Sequence, residues 1–257
     1  MTARYDKPDL FLTMPHACSY LDDVTATTLF VDPKYECRKK IFSRFMQLGF
    51  RRSGNLVYRP HCENCQACIS VRIPVDDFHP SRSQKRTLQR NHDIELIKTK
   101  AKYNEDHFQL YCRYQENRHP GGDMANTDPA KYMEFLLTGH TETWFYEMRL
   151  KNDTGQRPGK LLGVAVIDEL ADGISAVYTF FDPGEHKRAL GVFAILREIE
   201  LAKAAGLPHL YLGYWIKDCQ KMSYKMNYRP LEGFTEGKWA NLEGKTPPDP
   251  VDSFTEI

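Results

Sequence analysis

No run of apolar residues in this 257-residue chain approaches the length of a membrane span, and Met1 to Leu12 lacks the apolar stretch a secretory signal needs. A membrane-spanning or exported protein is therefore not expected, and a reducing cytoplasm is. The seven cysteines, at positions 18, 37, 62, 65, 68, 112 and 219, are odd in number and scattered, which argues against a secreted disulfide framework. A chain of this length buries a sizeable core without such staples. Charge excess is lacking as well. With 35 basic and 34 acidic residues the formal net charge is +1, so bulk electrostatic attraction to nucleic acid is not expected. The sequence carries no G-x-S-x-G nucleophile elbow, no internal repeat and no sign of a particular oligomeric state.

Two local concentrations stand out against that even background. The first is His61-Cys62-Glu63-Asn64-Cys65-Gln66-Ala67-Cys68, three cysteines at two consecutive C-x-x-C spacings. Such a run lets neighbouring thiolates reach one Zn²⁺ or one edge of an Fe–S cluster, with a fourth ligand drawn from His61, Cys18 or Cys37. No second C-x-x-C follows at zinc-ribbon spacing, so free or reversibly oxidised thiols are an equal alternative. The second concentration is Arg82 to Arg90, in which Arg82, Lys85, Arg86 and Arg90 occur with no acidic residue. On a helix these cations share a face that suits phosphates, and a plain solvated surface is the competing reading.

Periodicity and turn signals predict a helix over 34–48 stopped by Gly49, then a hairpin over 50–59 through Ser53-Gly54-Asn55. A strand over 68–75 leaves the cysteine run, and Ser81 or Ser83 is placed to cap the basic helix. Helices are expected over 103–115 and 129–137 with a loop from Arg118 to Gly122 between them. Strands are expected over 143–150, 161–169 and 174–181, the first two joined by the polar connector Lys151–Lys160 and the third following an Asp172-Gly173 turn. The clearest helix, 190–205, carries apolar residues at Val192, Ile195, Leu196, Ile199 and Ala202 and stops at Gly206. A strand over 210–216 follows. These patterns divide the chain into a cysteine-containing unit, 1–78, a larger α+β unit, 79–241, and a loosely ordered tail, 242–257, with prolines at 247, 248 and 250.

Three strands, a long helix and a strand form the order in which an antiparallel meander feeds one β-α-β crossover. That order resembles the GCN5-related N-acetyltransferase fold, a mixed, mostly antiparallel sheet with flanking helices. The join Arg188-Ala189-Leu190-Gly191-Val192-Phe193 resembles the R-x-x-G-x-G/A loop that cradles a pyrophosphate at a helix N-terminus. Phe193 departs from it, and a benzyl group there obstructs close phosphate approach. Further motifs narrow the resemblance: Tyr58-Arg59-Pro60-His61-Cys62 through Val71-Arg72-Ile73-Pro74-Val75, Pro80 through Arg86, Ala176 through Pro183, and Tyr211 through Ile216. Together they resemble the aminoacyl-tRNA–protein transferases, and within them the aspartate/glutamate leucyltransferase branch, also described as bacterial arginyltransferase-like. The likeness runs from about Leu10 to Trp239.

That resemblance implies transfer of leucine from leucyl-tRNA to the α-amino group of proteins beginning with Asp or Glu, which marks them for degradation by an N-degron pathway. It also implies a smaller cysteine-bearing N-terminal α+β domain beside the acetyltransferase-like one. The N-terminal C-x-x-C of eukaryotic arginyltransferases is absent, because Leu21 stands three residues after Cys18. Cys18, Cys62, Cys65 and Cys68 remain as candidate metal ligands for Zn²⁺ or an Fe–S cluster.

A leucyl ester is already activated towards an amine, so positioning outweighs covalent catalysis and no cofactor is required for the reaction. Asp182 and Tyr178, at the end of the strand before the long helix, are the candidate catalytic residues, with Asp182-Pro183-Gly184 as a structural turn the alternative. Selecting an acidic acceptor needs a bidentate Arg or paired cations. The candidates are Arg82, Arg86, Arg149, Arg188 and Arg229. Tyr214 and Trp215 are placed to stack on a terminal adenine or shape a leucine pocket, and Lys225 and Arg229 to contact tRNA. Competing functions are transfer of arginine to the same acceptors, N-acetylation from acyl-CoA, and a non-enzymatic metal- or redox-sensing RNA-binding module. Since aminolysis needs neither metal nor thiolate, Cys62, Cys65 and Cys68 are expected to be structural or redox-regulatory.

Overall fold

Leu161–Glu169 is apolar at almost every position, the mark of a strand covered on both faces, and it lies deep in an eight-stranded sheet as β10. The computed structural model describes residues 7–118, 128–152 and 158–242. Most of the expected loop Arg118–Gly122, the middle of the connector Lys151–Lys160, and the tail beyond Leu242 lie outside the described residues.

The N-terminal part begins with β1 (Leu10–Leu12), β2 (His16–Ala17), β3 (Thr25–Ala26) and β4 (Thr28–Val31). Helix α1 covers Lys39–Gln47, later than expected, because Asp32 Oδ1 accepts the Lys34 N–H and Tyr35 N–H turns back to the Asp32 carbonyl. Gly49, at φ +83°, ends it as a left-handed C-terminal residue. The hairpin of β5 (Arg51–Ser53) and β6 (Leu56–Pro60) turns through Gly54 and Asn55 as expected, with Ser53 opposite Leu56. These strands form a four-stranded sheet in the order β1-β4-β6-β5.

The chain then enters the large sheet through β7 (Ile69–Pro74), followed by α2 (Arg82–Arg90) and β8 (Ile94–Lys100). Ser81 caps α2 in a full capping box with Gln84. Helices α3 (Glu105–Arg118) and α4 (Pro129–Leu136) come next, the latter capped by Asp128. The meander of β9 (Thr143–Leu150), β10 and β11 (Gly173–Phe181) leads into α5 (Leu190–Ala204) and β12 (His209–Trp215). A short α6 (Gln220–Ser223), a 3₁₀ turn over Tyr224–Asn227, and the hairpin β13 (Glu232–Thr235) and β14 (Lys238–Asn241) close the described chain.

The large sheet runs β14-β13-β7-β12-β11-β10-β9-β8, and all its pairings are antiparallel except β11 with β12. The fold is thus α+β with a mostly antiparallel sheet. Strand β7, from the cysteine-containing unit read in the sequence, is hydrogen-bonded between β12 and β13 in the middle of this sheet. One core lies under α5, where Phe193, Ile195, Leu196 and Ile199 meet Val71, Ile73, Leu210 and Trp215. A second, aromatic core joins α3 and α4 to β9, β10 and β11 through Tyr111, Tyr132, Phe145 and Phe180. A third joins α1 and the small sheet to Tyr211 of β12 and Leu170.

Candidate functional site

β11 and β12 are joined for three residues only, Gly173–Ser175 opposite His209–Tyr211, and then separate on their way towards Phe181 and Trp215. Helix α5 connects the two strands and packs against both. A bulge sharpens the divergence. Val166 faces Tyr178 while Ile167 faces Ala176, which leaves Val177 as the extra residue on β11. Residues on either side of it exchange faces. Ile174 and Ala176 pack under α5, whereas Tyr178 and Phe180 turn to the α3 side. An opening between strands at the end of a crossover is a recurrent place for ligands in α/β architecture.

Asp182 sits at the end of β11 and caps the 3₁₀ turn Pro183–Arg188, with Oδ1 accepting the Gly184 N–H at 2.9 Å and Oδ2 paired with Lys160 at 3.0 Å. Burial raises its pKa, but the hydrogen bonds from Lys160 and Gly184 and the charges of Lys160 and Arg113 outweigh it and leave the carboxyl below its usual range. A carboxylate held ionised in this way is a weak base. A surface depression beside it is lined by Arg113, Glu116 and Asn117 of α3 together with Asp182, Pro183 and Gly184. Tyr178 points towards α3, where its hydroxyl accepts a hydrogen bond from Gln115 Nε2 at 2.9 Å and its ring meets Tyr111, Tyr114 and Phe135.

The candidate cations fall into three groups. Arg82 and Arg86 are exposed on α2, whose inner side is fixed by Gln84, which donates to the Asn227 carbonyl at 3.0 Å. Arg90 is held by the Lys187 carbonyl. Arg229 is exposed, with a long contact to the Met226 carbonyl. Arg188 is engaged by Asp93 through two contacts at 2.8 and 2.9 Å, and by Glu185 at 3.0 Å. Arg149 pairs with Glu147, which is also hydrogen-bonded to His107 at 2.6 Å, and donates to the Gly159 carbonyl. Lys225 is turned inward, with Nζ donating to the Tyr214 carbonyl and lying 3.3 Å from Met222 Sδ. Burial, reinforced by the nearby Arg51 charge, lowers its pKa to about 7.

The aromatic candidates are core residues. Tyr214 is buried, and its hydroxyl donates towards the Gly49 and Tyr58 carbonyls, which ties β12 to the small sheet. Trp215 is buried in the core under α5, with an indole N–H that has no partner. Phe193 is 3% exposed and fills the same core.

The cysteine segment lies nearer to this opening than its place in the sequence suggests. Cys68 is pushed up to about 12, first by burial and then by Cys18, Cys62, Cys65 and Cys219 around it. Cys219 follows β12 and is near enough to Lys225 to act on its pKa as well. All the described cysteines are free thiols. Among the described residues no set of three or more His, Cys, Asp or Glu side chains is arranged to hold a metal ion.

Sequence reasoning passed over four residues that the fold gathers here. Arg113 and Arg118 of α3 extend their charge to Asp182 and to Tyr114, Tyr178 and Tyr224. Cys219 joins the thiol cluster only through the fold. Glu198 of α5 is 2% exposed, and neither carboxyl oxygen has a partner. Its position was legible, since it falls three residues after Ile195 and four before Ala202, on the apolar stripe of α5.

Two family models match this chain. The one described as arginine-tRNA-protein transferase, C terminus, covers residues 106–235, and the one described as arginine-tRNA-protein transferase, N terminus, covers residues 16–86. The chain is similar to the aspartate/glutamate leucyltransferase of Hahella chejuensis, 49% identical over 232 residues, which are 90% of this chain and 96% of that one. It is 47% identical over 232 residues to the aspartate/glutamate leucyltransferase of Marinobacter nauticus, covering 90% and 95% of the two chains. Among solved structures, FemX is similar over 77% of each chain, at 8% identity and a TM-score of 0.46.

Proposed function

The chain belongs to the arginine-tRNA-protein transferase family, and on that footing we propose that it transfers leucine from leucyl-tRNA to the α-amino group of proteins beginning with Asp or Glu. The observation that carries the choice of leucine over arginine is the identity of nearly one half, along almost the whole length, to relatives named aspartate/glutamate leucyltransferase. In the reaction the neutral acceptor amine attacks the ester carbonyl carbon, a C–N bond forms, and the C–O bond to the tRNA ribose breaks. The amine loses one proton and the ribose oxygen gains one. The product carries an N-terminal leucine, which we take to be the signal for degradation.

We assign both substrates to the opening between β11 and β12, in keeping with a GCN5-related N-acetyltransferase-like core. The β9-β10-β11-α5-β12 order and the divergence after Ser175 support that assignment. The cysteine-bearing unit is proposed as an accessory domain that shares β7 with the transferase sheet, and its thiols as a structural or redox-responsive element. No step is routed through a metal. A cytoplasmic location accords with the use of charged tRNA.

Arg82, Arg86 and Arg229 are the exposed cations nearest in character to a tRNA or acceptor contact. Arg149 and Arg188 reach a substrate carboxylate only by exchanging it for Glu147, Asp93 or Glu185. Asp182 and Tyr178 are proposed to shape the end of β11, and Tyr214, Trp215 and Lys225 the end of β12. Reversing Arg82 and Arg86 together to Glu should raise the KM for tRNA or acceptor by about three- to tenfold with kcat retained, and increasing salt should narrow the gap to wild type. Unchanged KM values for both substrates would leave that helix as plain surface.

The decisive assay offers labelled leucyl-tRNA, labelled arginyl-tRNA and acetyl-CoA side by side to an Asp-initiated peptide under reducing conditions. Label is expected to appear on the peptide from leucyl-tRNA. Acetyl transfer alone, or RNA binding without turnover, would overturn the reading.

A further inference from the structure

Glu198 presents an unusual combination, since a carboxyl group at the centre of a packed helix face has neither oxygen hydrogen-bonded. Buried polar atoms in folded proteins are nearly always paired, and an unpaired carboxyl is costly enough to require a reason. A second orphan lies in the core on which α5 packs, where Tyr228 and Tyr224 meet its buried stripe. The Tyr228 hydroxyl is wholly buried and also has no partner, and Tyr224 of the same segment feels the Glu198 charge too. Tyr224 in turn lies within reach of Tyr114 and Arg118 of α3, and the Tyr114 ring packs edge-on against Phe181 at the end of β11, with centroids 5.0 Å apart. The segment 224–228 therefore links the carboxyl to the end of the opening between β11 and β12. The partners that Glu198 lacks are hydrogen-bond donors, and a cationic donor would satisfy it best in so dry a setting. Within the described residues no lysine or arginine supplies one.

We propose that Glu198, with the hydroxyls of Tyr224 and Tyr228, forms a buried receptor for a primary ammonium group. The inference rests on the aminoacyl-transfer reading, in which two such groups exist, the α-ammonium of the leucyl ester and that of the acceptor protein. Either enters as a compact cation with three donors, enough to serve both carboxyl oxygens and one tyrosine hydroxyl. Glu198 then exchanges its own proton for the ion pair.

Glu198→Gln keeps the shape and removes the charge, and Tyr228→Phe removes one hydroxyl. Heat of binding is measured with leucinol, which carries the donor's ammonium, and with aspartyl-glycinamide, which carries the acceptor's. Each is compared with an analogue whose amine is replaced by hydroxyl, and KM values for leucyl-tRNA and Asp-peptide are measured in parallel. For one of the two probes, Glu198→Gln should weaken binding by about tenfold or more and abolish the preference for amine over hydroxyl, with a smaller loss for Tyr228→Phe. Loss confined to leucinol and leucyl-tRNA assigns the site to the donor, and loss confined to aspartyl-glycinamide and peptide assigns it to the acceptor. Unchanged binding of both probes and unchanged KM values in folded Glu198→Gln would overturn the proposal while leaving leucyl transfer intact. If the wild-type protein transfers no leucine yet binds an amine through Glu198, the receptor stands and the transfer reading fails.

Discussion

Asp168→Asn is expected to destabilise the protein by about 3–5 kcal/mol, the cost of leaving a buried charge without its partner. Asp168 is fully buried on β10, and the side chain of Arg52 on β5 is only 3% exposed, yet the two make a bidentate contact. Arg52 also donates to the Leu136 carbonyl at the end of α4, and Thr143 donates to Asp168 at 2.7 Å. One guanidinium therefore joins the small sheet, α4 and the large sheet. The asparagine variant keeps the bulk of the side chain but strands the cation in a dry site. Urea unfolding at neutral pH measures the loss. Replacing both partners, Arg52→Met with Asp168→Leu, should recover much of it, since an apolar pair of similar volume avoids the desolvation penalty. A loss below about 1 kcal/mol in the single variant would mean that water reaches the pair.

The second large effect concerns pH. Burial raises Glu198 from 4.5 to about 8, with no charged partner to oppose it. A carboxyl whose folded pKa lies above its unfolded value stays protonated in the native protein while the unfolded chain ionises. Stability is therefore lost as pH rises from about 4.5 to about 8 and levels off above that. At about 1.4 kcal/mol per pH unit the penalty reaches about 3 kcal/mol at pH 7. Tyr224, raised to about 12, and Tyr228, raised well above its ordinary value, feel Glu198 and keep their charge in that window, whereas Lys225 of the same segment, lowered to about 7, titrates within it alike in both proteins and drops out of their difference. Glu198→Gln is expected to match wild type near pH 4.5 and to exceed it progressively up to pH 8, as followed by urea midpoints across the range. A constant difference between the two proteins would show the carboxyl to be paired or hydrated in solution. An amine bound at Glu198 should abolish the slope.

Much of the architecture was legible because it is written in local periodicity. The meander, the crossover helix and the basic helix follow from alternation, from the α5 stripe and from Ser81 with Gln84. Strand β8 was not, because IELIKTK mixes lysines with β-branched residues at the edge of the sheet, where burial is slight. The bulge at Val177 has no signature in ISAVYTFF, since both faces of β11 are apolar and a change of face leaves the pattern unaltered. At the site, local sequence showed which residues carry charge but not which charges are already spent. Arg188 and Arg149 read like free cations and are paired with carboxylates from elsewhere in the fold. Cys219 could join the thiols only through the return of β12 beside β7.

The placement of β7 also bears on how the molecule is made. Val71 and Ile73 are wholly buried, and both neighbours of their strand, β12 and β13, come from the last quarter of the chain. During synthesis this strand leaves the ribosome with two unpaired edges and waits for most of the protein to follow. Exposed strand edges of that kind invite pairing with other chains. Newly made copies should therefore depend on chaperone cover until the residues of β13 emerge, and release fully folded molecules only late in translation.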